Sequence, residues 1–403
     1  MKKIRNLFAI GSILSAVVSY AQISGSGTYL KGNYVEIGID NLGGFEGANC
    51  LTAPVPSGMH LRSANNLFGF TANPQMNGWA GSSFDGDFFT PGSPENGWGF
   101  EIADTGGISL GNNCSYLQQI AGAVTSWSYL TPQTICEWEG DALSGTNLHV
   151  KINYELHDND LFYITTVFIT NNTGAPISDL RYYRNLDPDN NQEIGGSFTT
   201  ENTIISQITM GGANTRVSAS QTTPWSSYFE FLAVDSNWVA GYGGFANRDA
   251  SDMYNGIGYT QSVGSVNLAD EAIYLAYEIP LLAPGGTQSF KFCSVFDPTA
   301  VTAATTALNL STVSVNEFAN SASPVSVYPN PFNNEATITI DKSVQLKNTK
   351  LQVYDVLGKE VAAVSNIQDH QFKFEKGNLI PGLYFYKIIN DEQEIASGKI
   401  LIN

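Results

Sequence analysis

Positive charge is what this sequence has least of: 19 lysines and arginines stand against 37 aspartates and glutamates, for a formal net charge of −18. The deficit is uneven, because the stretch from Val325 onward is close to neutral while the residues before it, past the basic first five, carry about −20. A body this acidic repels phosphate backbones and anionic lipid, which argues against nucleic acid and leaves cations, neutral glycans or basic surfaces as partners. The same charge also simply keeps an exported protein in solution.

Histidine and cysteine number four each. His60, His149 and His157 are too scattered to form a catalytic constellation, and no CxxC spacing or Cys/His cluster offers a zinc site. Cys50, Cys114, Cys136 and Cys293 are an even set, which in an exported chain predicts disulfides: Cys114 with Cys136 locally, Cys50 with Cys293 across the body. Buried free thiols are the alternative. Long apolar runs are missing after the N-terminus, which excludes a later membrane-spanning helix. No long segment shows a 3.6-residue apolar period, while 39 glycines and 12% aromatics favour an all-β chain rich in turns.

Residues 1–21 read as a secretory signal peptide: Lys2, Lys3 and Arg5, an apolar run from Leu7 to Val18, then Ser19 and Ala21 before a cut at Gln22. Beyond it, Thr28 to Asp40 has hairpin character, and Asn147 to Asn172 places two alternating strands around the polar tip His157 to Asp160. Phe84 to Ile102 is a Gly- and Pro-rich aromatic loop region. Its Phe88 and Trp98, with Trp79 before it, read either as packed rings or as a platform on which a glycan stacks.

The most chemically loaded stretch is Asp179 to Gly196. Asp187, Asp189, Asn191 and Glu193 recur at every second position, the spacing of hard oxygen ligands that opens many calcium loops. It departs from the EF-hand pattern, since Gln192 stands where that loop needs Gly and Phe198 where it needs Glu. Two readings stand side by side: a calcium site completed by Asp249 or Asp252, and a tight turn whose carboxylates pair Arg181 and Arg184. Glycoside hydrolysis would need two carboxylates across one cleft, and Asp85, Asp87, Glu95 and Glu101 supply candidates. Gly107 to Gly111 matches GxSxG, but that motif acts on a strand-to-helix elbow that this β-rich region does not predict.

After Asp297 the chain turns rich in Thr, Ala, Ser and Asn and reads as a flexible linker up to Ser323. From Pro324 short strands alternate with turns at Asp355 to Gly358 and Asn390-Asp391. Three segments stand out: Tyr328-Pro329-Asn330-Pro331; Val353 to Lys359 with Gly358; and Pro381-Gly382-Leu383-Tyr384 followed by Gly398-Lys399. In these residues, and in their order, the chain resembles the type A C-terminal sorting domain of the type IX secretion system of Bacteroidota.

That resemblance implies a small seven-stranded Ig-like β-sandwich and export in two steps. The signal peptide would serve at the inner membrane. An outer-membrane translocon and a shuttle barrel protein would then recognise the sorting domain, which a surface sortase-like peptidase removes. The expected organisation is a signal peptide at 1–21, a large β-sandwich passenger at 22–310, a linker at 311–323 and the sorting domain at 324–403. The expected location is outside the cell or on its surface. For the passenger, the leading expectation is a non-enzymatic binding or adhesion module for a glycan or surface ligand, with calcium as the one expected cofactor. The rivals are a carbohydrate-active enzyme and a structural component of an extracellular assembly.

Overall fold

A computed structural model describes residues 27–44, 55–60, 68–79, 96–102, 108–113, 117–142, 147–192, 195–224, 226–243, 249–311, 325–330, 332–342, 344–355, 358–391 and 393–402. The expected signal peptide, Cys50, Cys114, Phe88, Glu193, Pro331 and nearly all of the expected linker lie outside the described residues. The chain divides into two compact units, 1–314 and 315–403.

In the first unit, alternation of apolar and polar residues builds the larger sheet. Leu148–His157 turns Leu148, Val150, Ile152, Tyr154 and Leu156 inward and every residue between them outward. Each such burial stabilises the fold by roughly 1.5–3 kcal/mol. The strand pairs with Phe162–Asn171 as the expected hairpin. Nine antiparallel strands make up this sheet, in the spatial order Val266–Ala269, Thr200–Ser206, Thr215–Gln221, Ser227–Ala233, Thr287–Val295, Phe162–Asn171, Leu148–His157, Gln133–Ala142 and Ile120–Leu130.

A six-stranded sheet faces it, ordered Trp238–Gly243, Ala272–Leu282, Ile177–Leu186, Asn96–Ile102, Ile108–Asn113 and Leu117–Gln118. Aromatic rings join the two: Trp98 meets Trp138 at 5.4 Å, Tyr182 meets Phe290 at 5.0 Å and Trp238 meets Phe292 at 5.7 Å between centroids. The Ala283–Gly286 turn, carrying the Pro-Gly-Gly signal, crosses from one sheet to the other.

A three-stranded sheet, Gly27–Lys31, Val35–Asp40 and Phe70–Ala72, packs against the same core, with Phe70 stacked on Phe229. The turn after Val35–Asp40 enters the sandwich. Its carbonyls at Asn41, Leu42 and Gly43 accept from Trp138 Nε1, Trp98 Nε1 and the Tyr154 hydroxyl at 2.9, 2.9 and 2.7 Å. Three large buried rings thus keep their polar atoms bonded. Gly43 has φ +71°, and a Cβ there would stand 2.8 Å from the Trp138 ring, so the position needs glycine.

Two helices cover outer faces. Ala250–Asn255 lies on the six-stranded sheet over Tyr183, Tyr274 and Ala276. Val301–Ser311 lies on the nine-stranded sheet, where Ala304 and Leu308 close over Phe162, Ile164, Leu232 and Val295. This helix corrects the linker expectation for its own residues: Ala304 and Leu308, one turn apart, give the Thr- and Ala-rich segment one apolar stripe, enough to dock.

The cysteine expectation is corrected as well. Cys136 and Cys293 are free, fully buried thiols. Cys136 faces the sandwich core, while Cys293 lies under the C-terminal helix with Sγ 3.9 Å from the Ala304 carbonyl. Each packs as a small apolar residue on a different face of the sheet.

The second unit is a seven-stranded sandwich. Val325–Tyr328, Glu335–Ile340 and Gln371–Glu375 form one sheet. Glu360–Ile367, Thr349–Tyr354, Gly382–Asn390 and Gln393–Ile402 form the other. Ile338, Leu351, Val353, Phe374, Ile388 and Ile400 fill the space between them. The Asp355 turn closes on Gly358, whose φ of +79° explains the glycine.

Candidate functional site

The strand Ile177–Leu186 ends at Asp187-Pro188-Asp189, where two tight turns reverse the backbone: Asp189 N donates to Asp187 O and Asn190 N to Pro188 O. Buried amides fasten the loop to the neighbouring sheet. Asn190 Nδ2 donates to Ala219 O at 3.1 Å, Asn191 N to Gln221 Oε1 at 2.8 Å, and Gln221 Nε2 to Ser197 O at 2.6 Å.

Beside it, Leu186 pairs with Ile273, which brings the Asp270-Glu271 turn alongside. Asp187, Asp189 and Asp270 each direct a carboxylate oxygen to one point, all within 4.8 Å of one another. Asp189 is 2% exposed and its Oδ1 has no hydrogen-bond partner, whereas Asp270 is exposed. Burial first, then the charges of Asp187 and Asp270, push the Asp189 carboxyl up to about 9.

Three carboxylates so close cannot all stay charged without a compensating cation or proton. The donor set is all carboxylate oxygen, which suits calcium or magnesium and not zinc. Bonds of about 2.4 Å from one calcium ion can reach oxygens that lie within 4.8 Å of one another, so calcium can bridge the three.

The structure brings Asp187 and Asp189 together and adds Asp270, while Glu193 lies outside the described residues. Asn191 is buried, and its Nδ2 donates to Thr223 O at 3.3 Å. Asp249 caps the helix Ala250–Asn255 by accepting from Asp252 N, so that pair serves the helix. The arginine pairings differ too. Arg181 binds Asp179 at 2.7 Å and Glu278 at 3.2 Å on the outer face. Arg184 is buried inside, where its charge acts on Asp40 and Tyr154.

Trp98 is fully buried, with its indole N–H spent on Leu42 O, so it presents no face to a glycan. That corrects its place in the expected platform. Trp79 is part-exposed and stacks on His60 at 4.3 Å, while the His60 ring bonds to Glu36 at 2.9 Å. Ser109 sits within the strand Ile108–Asn113, with no helix elbow behind it. Glu101 is buried against Asp249, and its Oε2 accepts from Ser251 N at 2.9 Å. Burial and the Asp249 hydrogen bond both push its carboxyl up.

In the second unit the separated signature segments converge. Gln393–Ile402 is an edge strand of its sheet. Asn330 takes that edge with its side chain: Nδ2 donates to Lys399 O and Oδ1 accepts from Leu401 N, both at 2.8 Å. Phe332 N continues the ladder to Leu401 O at 3.0 Å. Gly382 and Leu383 pair with Ile402 and Leu401 on the strand's other side. Tyr384 is buried and donates to Ile380 O at 2.8 Å, and Gly398 lies against the Tyr386 ring.

The family model described as the secretion system C-terminal sorting domain matches residues 326–403. The second unit is a type IX sorting domain. It marks the protein as secreted or displayed on the cell surface and implies interaction with the type IX machinery. Among the described residues, no helix is long and apolar enough to cross a membrane.

No curated protein sequence matches the chain. Solved structures match it at low identity. A heparan sulfate lyase from Pedobacter heparinus is 10% identical over 80% of this chain and 40% of its own, with a TM-score of 0.33. A TPR-domain containing protein from Parabacteroides distasonis is 9% identical over 67% and 46%, at 0.34. A polysaccharide lyase is 12% identical over 77% and 40%, at 0.29. The chain spans less than half the length of each, and at these scores the likeness assigns no function.

Proposed function

We propose that the passenger, residues 22–310, is a non-enzymatic binding or adhesion module that acts outside the cell and is held in shape by calcium at Asp187, Asp189 and Asp270. The observation that carries the calcium reading is buried Asp189, whose Oδ1 has no hydrogen-bond partner and whose carboxylate offers an oxygen within 4.8 Å of those of Asp187 and Asp270. Calcium there would tie the end of one strand to the turn leading into its neighbour in the six-stranded sheet, and so fix the surrounding loops for ligand contact. The translocon, shuttle barrel protein and surface peptidase are the partners proposed for export, with cleavage after Ser311.

A thermal melt of the full mature chain in calcium and in chelator tests this reading. Calcium should raise the melting temperature, with about 2.7 kcal/mol expected at a hundredfold excess over the dissociation constant. Asp189→Asn should abolish the calcium shift and raise the melting temperature in chelator, because it removes a buried carboxyl that must take up a proton on folding when no cation is bound. A plain salt-bridged turn would show no calcium shift and would lose stability in the same variant.

The Glu101–Asp249 contact favours a second reading, a carbohydrate-active enzyme with Glu101, whose carboxyl burial and Asp249 push up, as its acid. Against it, Glu101 is bound by Ser251 N and Arg181 by the Ser251 hydroxyl, so the group anchors a helix. Screening the full chain on polysaccharides separates the two. Turnover that Glu101→Gln abolishes would overturn the binding reading.

A further inference from the structure

We propose that the passenger grips a neutral glycan at the tip of the Leu148–Asn171 hairpin, where Trp79 is the platform on which a sugar ring stacks and Asn33 and Asn159 bond its hydroxyls. The proposal rests on the binding-module reading and adds to it a site and a ligand class, built from residues other than the three aspartates.

Three observations carry the assignment. The first is backbone conformation. Trp79 has φ +63°, in the left-handed region that a bulky side chain rarely occupies, and Met76 just before it has φ +51°. Such conformations persist only where the surroundings over-determine them, and they gather at ligand clamps.

The second is how the ring is held. Trp79 Nε1 donates to Asn33 O at 2.6 Å, and the indole lies flat on the His60 imidazole, with 4.3 Å between centroids and 5° between planes. His60 is fixed in turn by the fully buried Glu36, which accepts from His60 N at 2.7 Å and meets the ring Nδ1 at 2.9 Å. Lys31 Nζ lies 3.2 Å from the same carboxylate. Burying a carboxylate is costly, and here it fixes an imidazole against an indole that stays partly at the surface. His60 is thus a positioning residue, acting through the Trp79 ring.

The third is what surrounds the indole. Asn33 Nδ2 donates to Asn159 Oδ1 at 2.9 Å, and Asn33 N to Asp158 O at 2.6 Å, so two turns meet beside Trp79. The Tyr129 hydroxyl donates to Asp158 Oδ2 at 2.8 Å. An apolar ring next to side-chain amides and a phenol matches a sugar, which has a C–H face to stack and hydroxyls that both donate and accept. Asp158 and the acidic surplus of the whole body repel anionic polysaccharides, so the ligand is a neutral glycan.

The test is affinity electrophoresis of the full mature chain through gels holding mannan, starch, laminarin or arabinoxylan, with heparin as the anionic comparison, each in calcium and in chelator. The wild type should be retarded by at least one neutral polysaccharide and not by heparin. Trp79→Gly, which suits the positive φ and removes the ring, should weaken that binding about tenfold or more with an unchanged melting temperature. His60→Ala should weaken it too, and His60→Phe, which restores a flat ring under the indole, should recover it. Leu281→Ser, an exposed apolar residue on the strand Ala272–Leu282, should bind as the wild type does. Should Trp79→Gly melt early, Asn159→Ala, which removes an exposed amide beside the ring, decides alone.

Full binding by a stably folded Trp79→Gly chain overturns the proposal. So does the absence of retardation by all four neutral polysaccharides, or preference for heparin. Binding that chelator or Asp189→Asn abolishes and Trp79→Gly spares would put the glycan at the three aspartates, which overturns this site and leaves the binding-module reading standing. Turnover of a polysaccharide whose binding Trp79→Gly abolishes would do the reverse.

Discussion

Asp40 shows how one buried carboxyl sets a pH response. It is fully buried, and burial pushes it up to about 7 against the pull of the Gly44 and Leu42 N–H groups and the Arg184 charge. The folded state therefore binds this proton more tightly than the unfolded chain, whose Asp titrates near 4. As pH rises from about 4 to about 7 the unfolded state is deprotonated first, so stability falls by roughly 4 kcal/mol across that window. Denaturation measured at several pH values should show stability falling with pH across that window in the wild type, and falling less steeply by about this amount in Asp40→Asn, with Asp189 supplying slope that remains. At this scale the sequence was half legible. Asp187 and Asp189 announce themselves by spacing. Asp270 does not, because only the Leu186–Ile273 strand pairing brings it near. Trp98 misled for the opposite reason: a Gly- and aromatic-rich segment looks like an exposed loop, yet here it is a central strand buried along its length.

The elements that carried a strict period were the ones readable in advance. The Leu148–Asn171 hairpin alternates without interruption around its polar tip, so its register follows from its sequence. The helix Val301–Ser311 carries a weaker signal, because its buried face consists mainly of Ala304 and Leu308 among Thr and Ala. Its worth is nonetheless measurable. Leu308 is fully buried, and Leu308→Ala should cost about 2–5 kcal/mol in urea denaturation. A segment that behaved as a linker would show no change. The same variant should speed thiol labelling of Cys293, which the helix covers, and leave that of Cys136 slower.

The whole molecule is two compact units with separate cores. Scanning calorimetry of the full mature chain should resolve two transitions, with Leu351→Ala moving only the one that belongs to the sorting domain. A single transition displaced by that variant would show the cores to be coupled. Strand order within the first unit carries one more consequence. Thr287–Val295 is its last strand in sequence, yet it sits in the middle of the nine-stranded sheet between Ser227–Ala233 and Phe162–Asn171. Until that strand arrives, four strands on one side and four on the other have no ladder to join them. A chain that emerges N-terminus first during synthesis thus holds an unfinished sheet until almost the whole first unit is out. Its assembly is timed by length, because the central ladder closes only when nearly the last of the unit arrives.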